Sequence, residues 1–556
     1  MWAALESRPT CFYCYYSIRY MGRLSGLENT TFDLIIIGGG IVGSGIARDA
    51  ALRGLRVALF EKGDYCSGTT SRSTRLIHGG LRYLETLDFR LVRIDLLERE
   101  ILLRIAKHLV RPLPFVVPFY DRSRAYRCKL GLGMMLYNLL SFDKSLPSHT
   151  RVSRAELLTS EPLLESRGLQ GGFLYYDAQV SAPERLVLEN LIDAREHGAV
   201  IHNYAEVTGA LRDGNSIRGV RVRDAVSMAE TDVKGTLLVN AGGPWLDQIS
   251  NRIGAHRKSR VRMTKGVHIV CPELSKKALV FFSKLDERLF FVIPWLGQSL
   301  VGTTDTDYSE DPDEARPQTD DIRYLLESIR PFIPSINRNQ VSYSYAGVRS
   351  LVSDEGAPSS VSRMHHIEDE TAGGMPGLIS IVGGKITGYR AIAQKAVDMA
   401  CARLGLRRDC TTAHTPLPGC RGRAIPAPDF LDERTYQHLL NLYGSRAAEV
   451  LDLAQSNVRL QAPLAAGKPD IAAQVVHSVR REQCVRATDF LLRRTLMGFS
   501  PDQGCAALPA VIAHMGNELN WSDAKRAKEF ERHMQWINET KLKIEDVGFE
   551  LSIFNF

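Results

Sequence analysis

The chain has 556 residues, which is too long for a single hydrophobic core, so its length predicts two or three domains. Hydrophobic residues make up 44% of the sequence and charged residues 24%, the composition of an ordinary globular protein. The formal net charge of +7 comes without a long Lys/Arg tract, which argues against binding to nucleic acid. The sequence contains no run of 18 apolar residues, so it predicts no membrane-spanning helix.

The ten cysteines are scattered along the chain. Only Cys11 and Cys14 have C-x-x-C spacing, which predicts a reduced intracellular protein with neither disulfides nor a bound metal. Residues 1–30 lack the apolar segment of a secretory signal and carry Glu6. We interpret them as a disordered N-terminal extension or as the result of a start codon placed too early, with Met21 as the true start; a transit peptide is the weaker alternative.

The clearest pattern lies in residues 33–61. An apolar run at residues 34–37 is followed by glycines and then by helical periodicity at residues 41–53. A second apolar run occupies residues 57–60. The order strand, tight turn, helix and strand predicts a parallel βαβ unit.

A dinucleotide-binding fingerprint lies within this unit. Gly38, Gly40 and Gly43 form G-x-G-x-x-G directly after the first strand, and Glu61 closes the second strand. The first glycine allows a sharp turn, the second lets a pyrophosphate approach the backbone, and the third permits close packing of helix on strand. The N-terminus of the helix offers N–H groups to the phosphates, and Glu61 is placed to accept hydrogen bonds from the adenosine ribose.

The fingerprint alone does not distinguish NAD from FAD. Two further glycine turns lie far downstream, "NAGGPW" at residues 240–245 and "VGGKITGYR" at residues 382–390. A single early fingerprint with late glycine turns favours FAD, because the late segments can hold the isoalloxazine end of the cofactor.

The rest of the chain predicts an α/β region followed by a helical one. Strands are predicted within residues 200–222, with a hairpin turn at "RDGNS", and at residues 235–240, 267–271, 290–294, 299–303 and 378–382; helices are predicted at residues 90–109 and from the last glycine turn to about Arg403. Proline and glycine are concentrated in residues 414–429, which predicts an interdomain linker. Beyond that linker the pattern is helical almost to the end.

A polar island follows the βαβ unit. Residues 73–85, "STRLIHGGLRYLE", mix apolar residues with His78, a glycine pair, Arg82 and Tyr83. Neither strand nor helix periodicity explains this mixture, so we interpret the segment as one that binds a ligand.

Several blocks of the sequence resemble the FAD-dependent glycerol-3-phosphate dehydrogenases, which are respiratory flavoproteins. The matching blocks are "DLIIIGGGIVGSGIARDAALRGLRVALFEKGD", "GTTSRSTRLIHGGLRYLE", "LLVNAGGPW", "TKGVHIV", "FFVIPWLGQSLVGTTDTDY", "YSYAGVRSL" and "ISIVGGKITGYR". They run in the order of the family from Asp33 to Arg390. Residues 479–495, "VRREQCVRATDFLLRRT", resemble the family's C-terminal helical domain.

The resemblance implies an α/β fold with three parts. These are an FAD-binding Rossmann-like domain of the glutathione-reductase/D-amino-acid-oxidase type, an interleaved α+β substrate domain and an all-α C-terminal domain. The expected boundaries are an oxidoreductase region at residues 31–410, with FAD-binding segments at about 31–105, 180–265 and 345–405 and substrate segments at about 106–179 and 266–344, then a linker at 411–429 and a helical domain at 430–540.

The resemblance also implies a reaction. Family members oxidise sn-glycerol 3-phosphate to dihydroxyacetone phosphate, with hydride transfer from C2 of the substrate to N5 of FAD, and pass the electrons to a membrane quinone. Such a reaction needs a group that takes the hydroxyl proton and a clamp that holds the C–H bond over the flavin. The phosphate dianion requires Arg or Lys, because charge-assisted hydrogen bonds both hold and orient it.

The candidate side chains lie inside the family blocks. By resemblance, Arg82 and Tyr83 contact the phosphate, whereas Arg349 and Lys385 polarise the substrate oxygens near C2. His268 is a candidate proton acceptor, because an ordinary imidazole titrates near neutral pH. The alternative for His268, which is flanked by valine and isoleucine, is a histidine of the hydrophobic core.

Further cofactor contacts are implied by the same blocks. They are hydroxyl contacts from Thr70 and Ser73, flavin contacts from His78 and Gly79, a backbone contact of Val207 with the adenine, and Gly243 and Gly384 in the late turns.

A membrane surface is predicted at residues 121–146. Four basic residues, Arg122, Arg124, Arg127 and Lys129, precede an apolar stretch that contains Met134, Met135, Leu136, Leu139 and Leu140. This pattern is typical of a helix lying among lipid headgroups, and it predicts a cytoplasmic protein peripherally associated with the inner membrane. The alternative is a helix packed on its own domain.

Other functions remain open at this point. An oxidase of the same substrate would pass electrons to oxygen, and an FAD-dependent amino-acid oxidase would need an Arg–carboxylate clamp without Lys385. A flavin-binding regulatory module is the alternative that is not an enzyme. The assembly is also open, and a homodimer is one option.

Overall fold

The computed structural model describes residues 23–80, 88–255, 260–352 and 365–540. Arg82 and Tyr83, which were predicted to bind the substrate phosphate, lie outside the described residues, as do residues 1–22. Within the described ranges, no helix combines the length and the hydropathy needed to cross a bilayer.

The elements follow one another in chain order. The first half contains β1 (Thr31–Ile37), α1 (Ile41–Leu52), β2 (Val57–Phe60), β3 (Leu76–Ile77), α2 (Phe89–Ile105), β4 (Val110–Tyr120), α3 (Arg124–Leu140), β5 (Thr150–Val152), α4 (Arg154–Ser160), β6 (Leu169–Val180), α5 (Pro183–Glu196), β7 (Val200–His202), β8 (Ala205–Asp213), β9 (Ser216–Asp224), β10 (Glu230–Asn240) and α6 (Leu246–Arg252). The second half contains β11 (Val261–Pro272), β12 (Ala278–Phe282), β13 (Leu289–Trp295), β14 (Gln298–Gly302), β15 (Thr306–Asp307), α7 (Thr319–Ile329), β16 (Tyr343–Val352), β17 (His366–Asp369), β18 (Leu378–Val382), α8 (Tyr389–Arg403), α9 (Glu433–Tyr443), α10 (Ala447–Ser456), α11 (Ala472–Arg481), α12 (Ala487–Asp489), α13 (Leu508–Leu519) and α14 (Asp523–Thr540).

The first sheet is the nucleotide-binding sheet. Its parallel part has the order β18, β10, β1, β2 and β7, and β1 pairs with β2 and β10 in the register Leu34 to Val57 and Leu34 to Leu237. The antiparallel strands β17, β9 and β8 complete it. Buried residues fill β1 because both faces are covered, and α1 packs against α5 and α8 on one of them. The predicted βαβ unit is confirmed.

The second sheet belongs to the substrate region. Its order is β15, β11, β14, β13, β12, β4, β6 and β3, with β16 paired to the other side of β11 and β5 paired to β6. The helix α7 covers one face of this sheet, where Ile322, Leu325 and Ile329 are buried against Val267 and Ile269 of β11. The opposite face of β11 turns Gly266 and His268 toward the first sheet.

The C-terminal part is helical, as predicted. Its helices enclose two cores, one built around Val475, Val511 and Met515 and the other around Leu439 and Val450. Its α12 continues as a π-helical turn, Phe490–Arg494.

Two segments at the predicted boundaries are packed rather than loose. In the predicted linker, Leu417 is fully buried, and the amide of Gly419 donates to Glu189 of α5 at 2.6 Å. In the predicted N-terminal extension, Leu24 and Leu27 are buried in the core beneath the first sheet. The composition of both segments concealed these contacts, because two or three buried side chains are enough to fix a short stretch of chain.

Candidate active site

The carboxyl ends of β1, β2, β10 and β18 open on one cavity of about 350 Å³. Residues that directly follow these strands line it, including Gly38, Glu61, Ala241 and Gly383. The opposite wall comes from β11 and β16 of the second sheet, through residues that include Gly266, His268 and Arg349. A crevice at the carboxyl edge of a parallel sheet is the usual place for a nucleotide cofactor.

The fingerprint turn has the geometry that its glycines require. Gly38 has φ 110°, and a Cβ atom at this position would lie 2.7 Å from the carbonyl oxygen of Ala241. A Cβ atom on Gly43 would lie 1.9 Å from the carbonyl oxygen of Gly38, which shows how closely α1 packs on the strand end. Gly40 is the N-cap of α1 and makes no side-chain hydrogen bond. Because Gly40 and Ile41 both line the cavity, the N-terminus of the helix faces it.

Glu61 ties the two turns of the fingerprint together. Its carboxylate accepts from the amide of Gly39 at 2.7 Å and from the amide of Gly63 at 2.9 Å. Burial raises the pKa of Glu61, although these two N–H groups oppose the shift. The side chain also lines the cavity, where its carboxylate oxygens can accept hydrogen bonds from ribose hydroxyls.

The loop after β2 forms another wall of the cavity. The hydroxyl of Thr70 accepts from the amide of Ile41 at 3.3 Å, and Thr69 donates to the carbonyl of Val348 at 2.6 Å. Ser73 lines the cavity, and its carbonyl accepts from the hydroxyl of Tyr345 at 3.1 Å. The loop therefore connects the start of α1 to the second sheet.

His268 is buried beside this loop. Its Nε2 lies 3.0 Å from the hydroxyl of Thr74, and its ring stacks on Tyr345 with the centroids 5.1 Å apart. Burial, with a smaller contribution from the charges of Arg349 and Arg75, lowers the pKa of His268 to about 3. The expectation of an ordinary pKa near neutrality is therefore not met, because the site is too dry to favour an imidazolium ion.

Arg349 is held by polar groups of the loop after β14. Its guanidinium donates to the carboxylate of Asp305 at 2.9 Å and to the hydroxyl of Thr303 at 2.9 Å. Gly266 leaves room for this side chain, since a Cβ atom there would lie 2.4 Å from Nη2 of Arg349. The cation is thus fixed in orientation at the wall of the cavity.

Lys385 lies in the turn between β18 and α8. Its ammonium donates to the carboxylate of Asp95 in α2 at 2.5 Å, and its side chain lines the cavity. Burial raises the pKa of Asp95, while the charge of Lys385 opposes that shift.

The cavity brings together most of the predicted site residues. Those that line it are Gly38, Gly40, Glu61, Thr70, Ser73, His78, Val207, Gly243, His268, Arg349, Gly384 and Lys385. Gly43 and Gly79 lie one layer behind the wall. The amide of Gly79 donates to the hydroxyl of Tyr137 at 3.1 Å, so its place is fixed by α3 rather than by the cavity.

Sequence reasoning missed several groups that shape the site. Asp95 and Asp305 hold the two predicted cations, and Thr74 contacts the predicted histidine. Trp245 lines the cavity, with the ammonium of Lys62 lying 4.6 Å above its ring. Asp95 lies in none of the blocks that match the family, whereas Thr74, Trp245 and Asp305 lie in such blocks but were not predicted as site residues.

The fold and the cavity define an FAD-dependent oxidoreductase, and comparisons with known proteins agree. The family described as FAD dependent oxidoreductase matches residues 33–390. The family described as the C-terminal domain of alpha-glycerophosphate oxidase matches residues 410–526.

Individual relatives identify one family within the FAD-dependent oxidoreductases. The chain is 38% identical over 543 residues to a glycerol-3-phosphate dehydrogenase of Synechocystis sp., a match that covers 92% of this chain and 97% of the relative. It is 35% identical to an aerobic glycerol-3-phosphate dehydrogenase of Staphylococcus saprophyticus, with coverage of 84% and 87%. Among solved structures, the glycerol-3-phosphate dehydrogenase from Bacillus halodurans complexed with FAD superimposes with a TM-score of 0.76 at 27% identity, covering 95% of this chain and 98% of that one.

The chain belongs to the FAD-dependent glycerol-3-phosphate dehydrogenase family, and its cofactor is FAD. The residues present fit this group. The glycine cradle at Gly38, the N-terminus of α1 and the carboxylate of Glu61 provide the three features that a dinucleotide needs.

Proposed function

We propose that this enzyme oxidises sn-glycerol 3-phosphate to dihydroxyacetone phosphate and passes the electrons to a membrane quinone. The observation that carries the proposal is that one cavity joins the dinucleotide fingerprint to His268, Arg349 and Lys385. When bound, FAD supplies the acceptor at N5 for the hydride that leaves C2 of the substrate. The other requirements of the reaction fall to side chains.

Two cations support a phosphorylated alcohol as the substrate. The guanidinium of Arg349 and the ammonium of Lys385 line the cavity from opposite elements, β16 and the turn before α8. In this proposal they orient the oxygens near C2, and Arg82 with Tyr83 binds the phosphate. An amino-acid oxidase needs one arginine for its carboxylate, so the additional Lys385 favours the phosphate ester.

His268 suits the role of a proton acceptor because its imidazole is neutral, although the low pKa makes it a weak base. With a pKa of about 3 it is neutral at physiological pH, and a neutral imidazole can accept a proton from a hydroxyl group. The same burial makes a lasting imidazolium costly, so the proton must leave quickly. The hydroxyl of Thr74, 3.0 Å from Nε2, holds the orientation of the ring.

The exposed face of α3 supports the membrane part of the proposal. Leu132, Met135, Leu139 and Phe142 are 69%, 64%, 67% and 76% exposed. Three of them lie on one stripe of α3, and Phe142 continues it just beyond the helix. Large apolar side chains in such a row are expected to bind a partner surface, and the basic residues at the start of α3 suit anionic headgroups.

Met134 was predicted as part of the apolar stretch that faces the membrane, but it lies on the inner face of α3. Met134 is fully buried, and Tyr137 is buried beside Asp177 with its hydroxyl 2.8 Å from that carboxylate. The helix therefore packs on its own domain through one face while the other face is open. In our proposal the open face rests on the cytoplasmic surface of the inner membrane, and this places the enzyme near a lipid-soluble electron acceptor.

One experiment tests the reaction. Purified protein with bound FAD is mixed anaerobically with glycerol 3-phosphate while the flavin absorbance is followed. Bleaching by this substrate, but by neither glycerol nor an amino acid, is expected. A fully loaded flavin that stays oxidised would contradict the proposal. Reoxidation by a quinone analogue much faster than by oxygen is expected of the dehydrogenase, and the reverse order would assign an oxidase.

A further inference from the structure

The C-terminal helical domain contacts the loop after β2 through Gln483, which bonds to Tyr65, and through the segment of residues 489–499. This segment contains the π-helical turn Phe490–Arg494. It contacts the loop after β2 at two places, near Asp64 and near Arg75. Those two residues bracket the part of the loop that lines the cavity.

At the first place, two arginines bind one carboxylate. Arg494 donates from Nη1 and Nη2 to the two oxygens of Asp64, both at 2.8 Å, and Arg493 donates to Asp64 from Nε at 2.6 Å. Asn203 adds a fourth hydrogen bond at 2.8 Å. Asp64 and Arg494 are fully buried, and the two guanidinium groups hold the pKa of Asp64 well below its usual range.

At the second place, an arginine of the loop lies between two aromatic rings. The guanidinium carbon of Arg75 lies 4.3 Å from the ring centre of Trp295 and 4.7 Å from that of Phe499. The same guanidinium donates twice to Glu184, at 2.9 Å each. Arg75 has φ 60°, a conformation that a residue with a side chain adopts only when its surroundings hold it there.

Phe499 is itself fixed to the second sheet. Its carbonyl accepts from the side-chain amide of Gln298 at 2.9 Å and from the hydroxyl of Tyr343 at 2.7 Å. Its ring lies 5.2 Å from that of Trp295. Contacts with β13, β14 and β16 therefore fix the position of Phe499. Its ring gives Arg75 a fixed surface to pack on.

The loop between the two places carries the contacts to the fingerprint. The amide of Cys66 donates to the carbonyl of Gly39 at 3.1 Å, and Thr70 accepts from Ile41. Glu61, three residues before Asp64, holds the amide of Gly39. A shift of the loop would therefore move groups that surround the pyrophosphate and ribose end of the cavity.

We propose that the C-terminal domain positions the FAD site: Arg493, Arg494 and Phe499 set the conformation of residues 64–75, and through that loop they set the affinity for FAD and the environment of the flavin. These three are positioning residues, because they act through Asp64 and Arg75. The buried charges explain why these three residues have a strong effect on the conformation of the loop. If one partner of the Asp64 cluster is removed, an uncompensated charge is left in a dry site, and the loop must rearrange to reach water.

The first test uses Phe499→Leu, which keeps an apolar side chain but removes the ring from Arg75. Val450→Ala is the matched control, because Val450 is fully buried in the other core of the C-terminal domain, around Leu439. Apoprotein is titrated with FAD, and the visible circular dichroism of the bound flavin and the melting temperature are recorded. We expect Phe499→Leu to raise the Kd for FAD ~10-fold and to change the flavin spectrum, whereas Val450→Ala lowers the melting temperature with Kd within ~2-fold of the parent.

Two outcomes would overturn the proposal. One is a Kd and a flavin spectrum in Phe499→Leu that match those of the parent protein. The other is an equal change in Val450→Ala, which would show that any loss of stability in the C-terminal domain weakens FAD binding.

A second pair of variants keeps the test decisive if Phe499→Leu does not fold. Arg493→Gln removes one of the two cations on Asp64, and Arg480→Gln removes an exposed arginine that pairs with Glu518 in the same domain. Amide hydrogen exchange of the apoprotein is followed in residues 64–75. Faster exchange of this loop in Arg493→Gln but not in Arg480→Gln is expected; unchanged exchange in both would contradict the proposal.

Discussion

The ammonium of Lys385 and the carboxylate of Asp95 lie 2.5 Å apart, and this contact ties the turn after β18 to α2 across the edge of the cavity. Asp95 is almost completely buried, so the ion pair has a fixed geometry rather than a mobile one. The position of an active-site cation thus depends on a residue 290 positions earlier in the chain.

Lys385→Ala is expected to retain FAD and to slow flavin reduction by glycerol 3-phosphate by roughly 10²-fold or more, because a cation aimed at developing negative charge is lost. The measurement is stopped-flow reduction under anaerobic conditions. Lys395→Ala, an exposed lysine on α8, is the control and should reduce at the parent rate. A near-normal rate in Lys385→Ala would remove this residue from the mechanism.

Asp305→Asn should weaken substrate binding, because the carboxylate that orients the guanidinium of Arg349 becomes a neutral amide. We expect KM for glycerol 3-phosphate to rise about 10-fold, with a smaller change in kcat. Asp307→Asn is a suitable control, since Asp307 pairs with Arg262 at the surface. Equal KM values for the two variants would show that Asp305 does not position Arg349.

His268 predicts a specific loss of stability in acid. Its pKa of about 3 in the folded protein lies below the ordinary value of about 6.5, so between these values the unfolded chain binds a proton that the folded chain does not. Stability from this group is therefore fully present above pH 6.5 and is lost as the pH falls toward 3, by about 2 kcal/mol between pH 7 and pH 5.

The comparison is between the parent protein and His268→Asn in denaturant unfolding at both pH values. The variant should lose less stability on acidification, whereas the exposed His366→Asn should behave like the parent. The same pH dependence in all three proteins would show that the imidazole of His268 is not buried in its neutral form.

The double substitution Met135→Asp and Leu139→Asp should abolish binding to vesicles that contain an anionic phospholipid. Both side chains are exposed on the open face of α3, so the change places two charges where the proposal requires apolar contact. Val458→Asp is the control, because Val458 is 73% exposed in the C-terminal domain. Sedimentation with vesicles at low salt is the measurement. Unchanged binding by the double variant would disprove the membrane role of α3.

Gly43→Ala should reduce the FAD content of the purified protein strongly, because the added Cβ atom would meet the carbonyl oxygen of Gly38 at 1.9 Å. Gly133→Ala is the matched substitution, since Gly133 also lies within a helix but has open space around it. The ratio of flavin to protein absorbance measures the effect. Equal FAD content in both variants would show that the close packing of α1 on β1 is not required.

Local signals predicted the nucleotide-binding part of the fold well. The strand at residues 57–60 and the strand at residues 378–382 have the predicted bounds, because apolar runs bounded by glycine are typical of buried parallel strands. The helix predicted at residues 90–109 ends at Ile105, since Val110 already begins β4.

The strand β4 itself escaped prediction. It contains Pro112, Pro114 and Pro118, and proline normally argues against a strand inside a sheet. The three prolines are an even number of residues apart, so the positions without an N–H group all face the same edge of the strand. The other edge keeps its donors, which is how β4 pairs with β6 along nearly its whole length.

The site was predictable only where its residues stand in motifs. Arg349, Lys385 and His268 lie in blocks that the family resemblance identifies, and all three line the cavity. Asp95 lies outside those blocks and Asp305 lies within one, but neither was predicted, because a carboxylate that holds a cation is defined by its neighbour in space, and that neighbour is distant in sequence.

The pairing of Asp64 with Arg494 joins residues 430 positions apart. A ribosome releases β1 and β2 early and the helical domain last, so Asp64 emerges long before its two arginines exist. During that interval the loop after β2 lacks the contacts that the C-terminal domain makes with Asp64 and Arg75. If the C-terminal domain positions this loop as we propose, we expect full affinity for FAD only after residues 493–499 have been made and have docked on it.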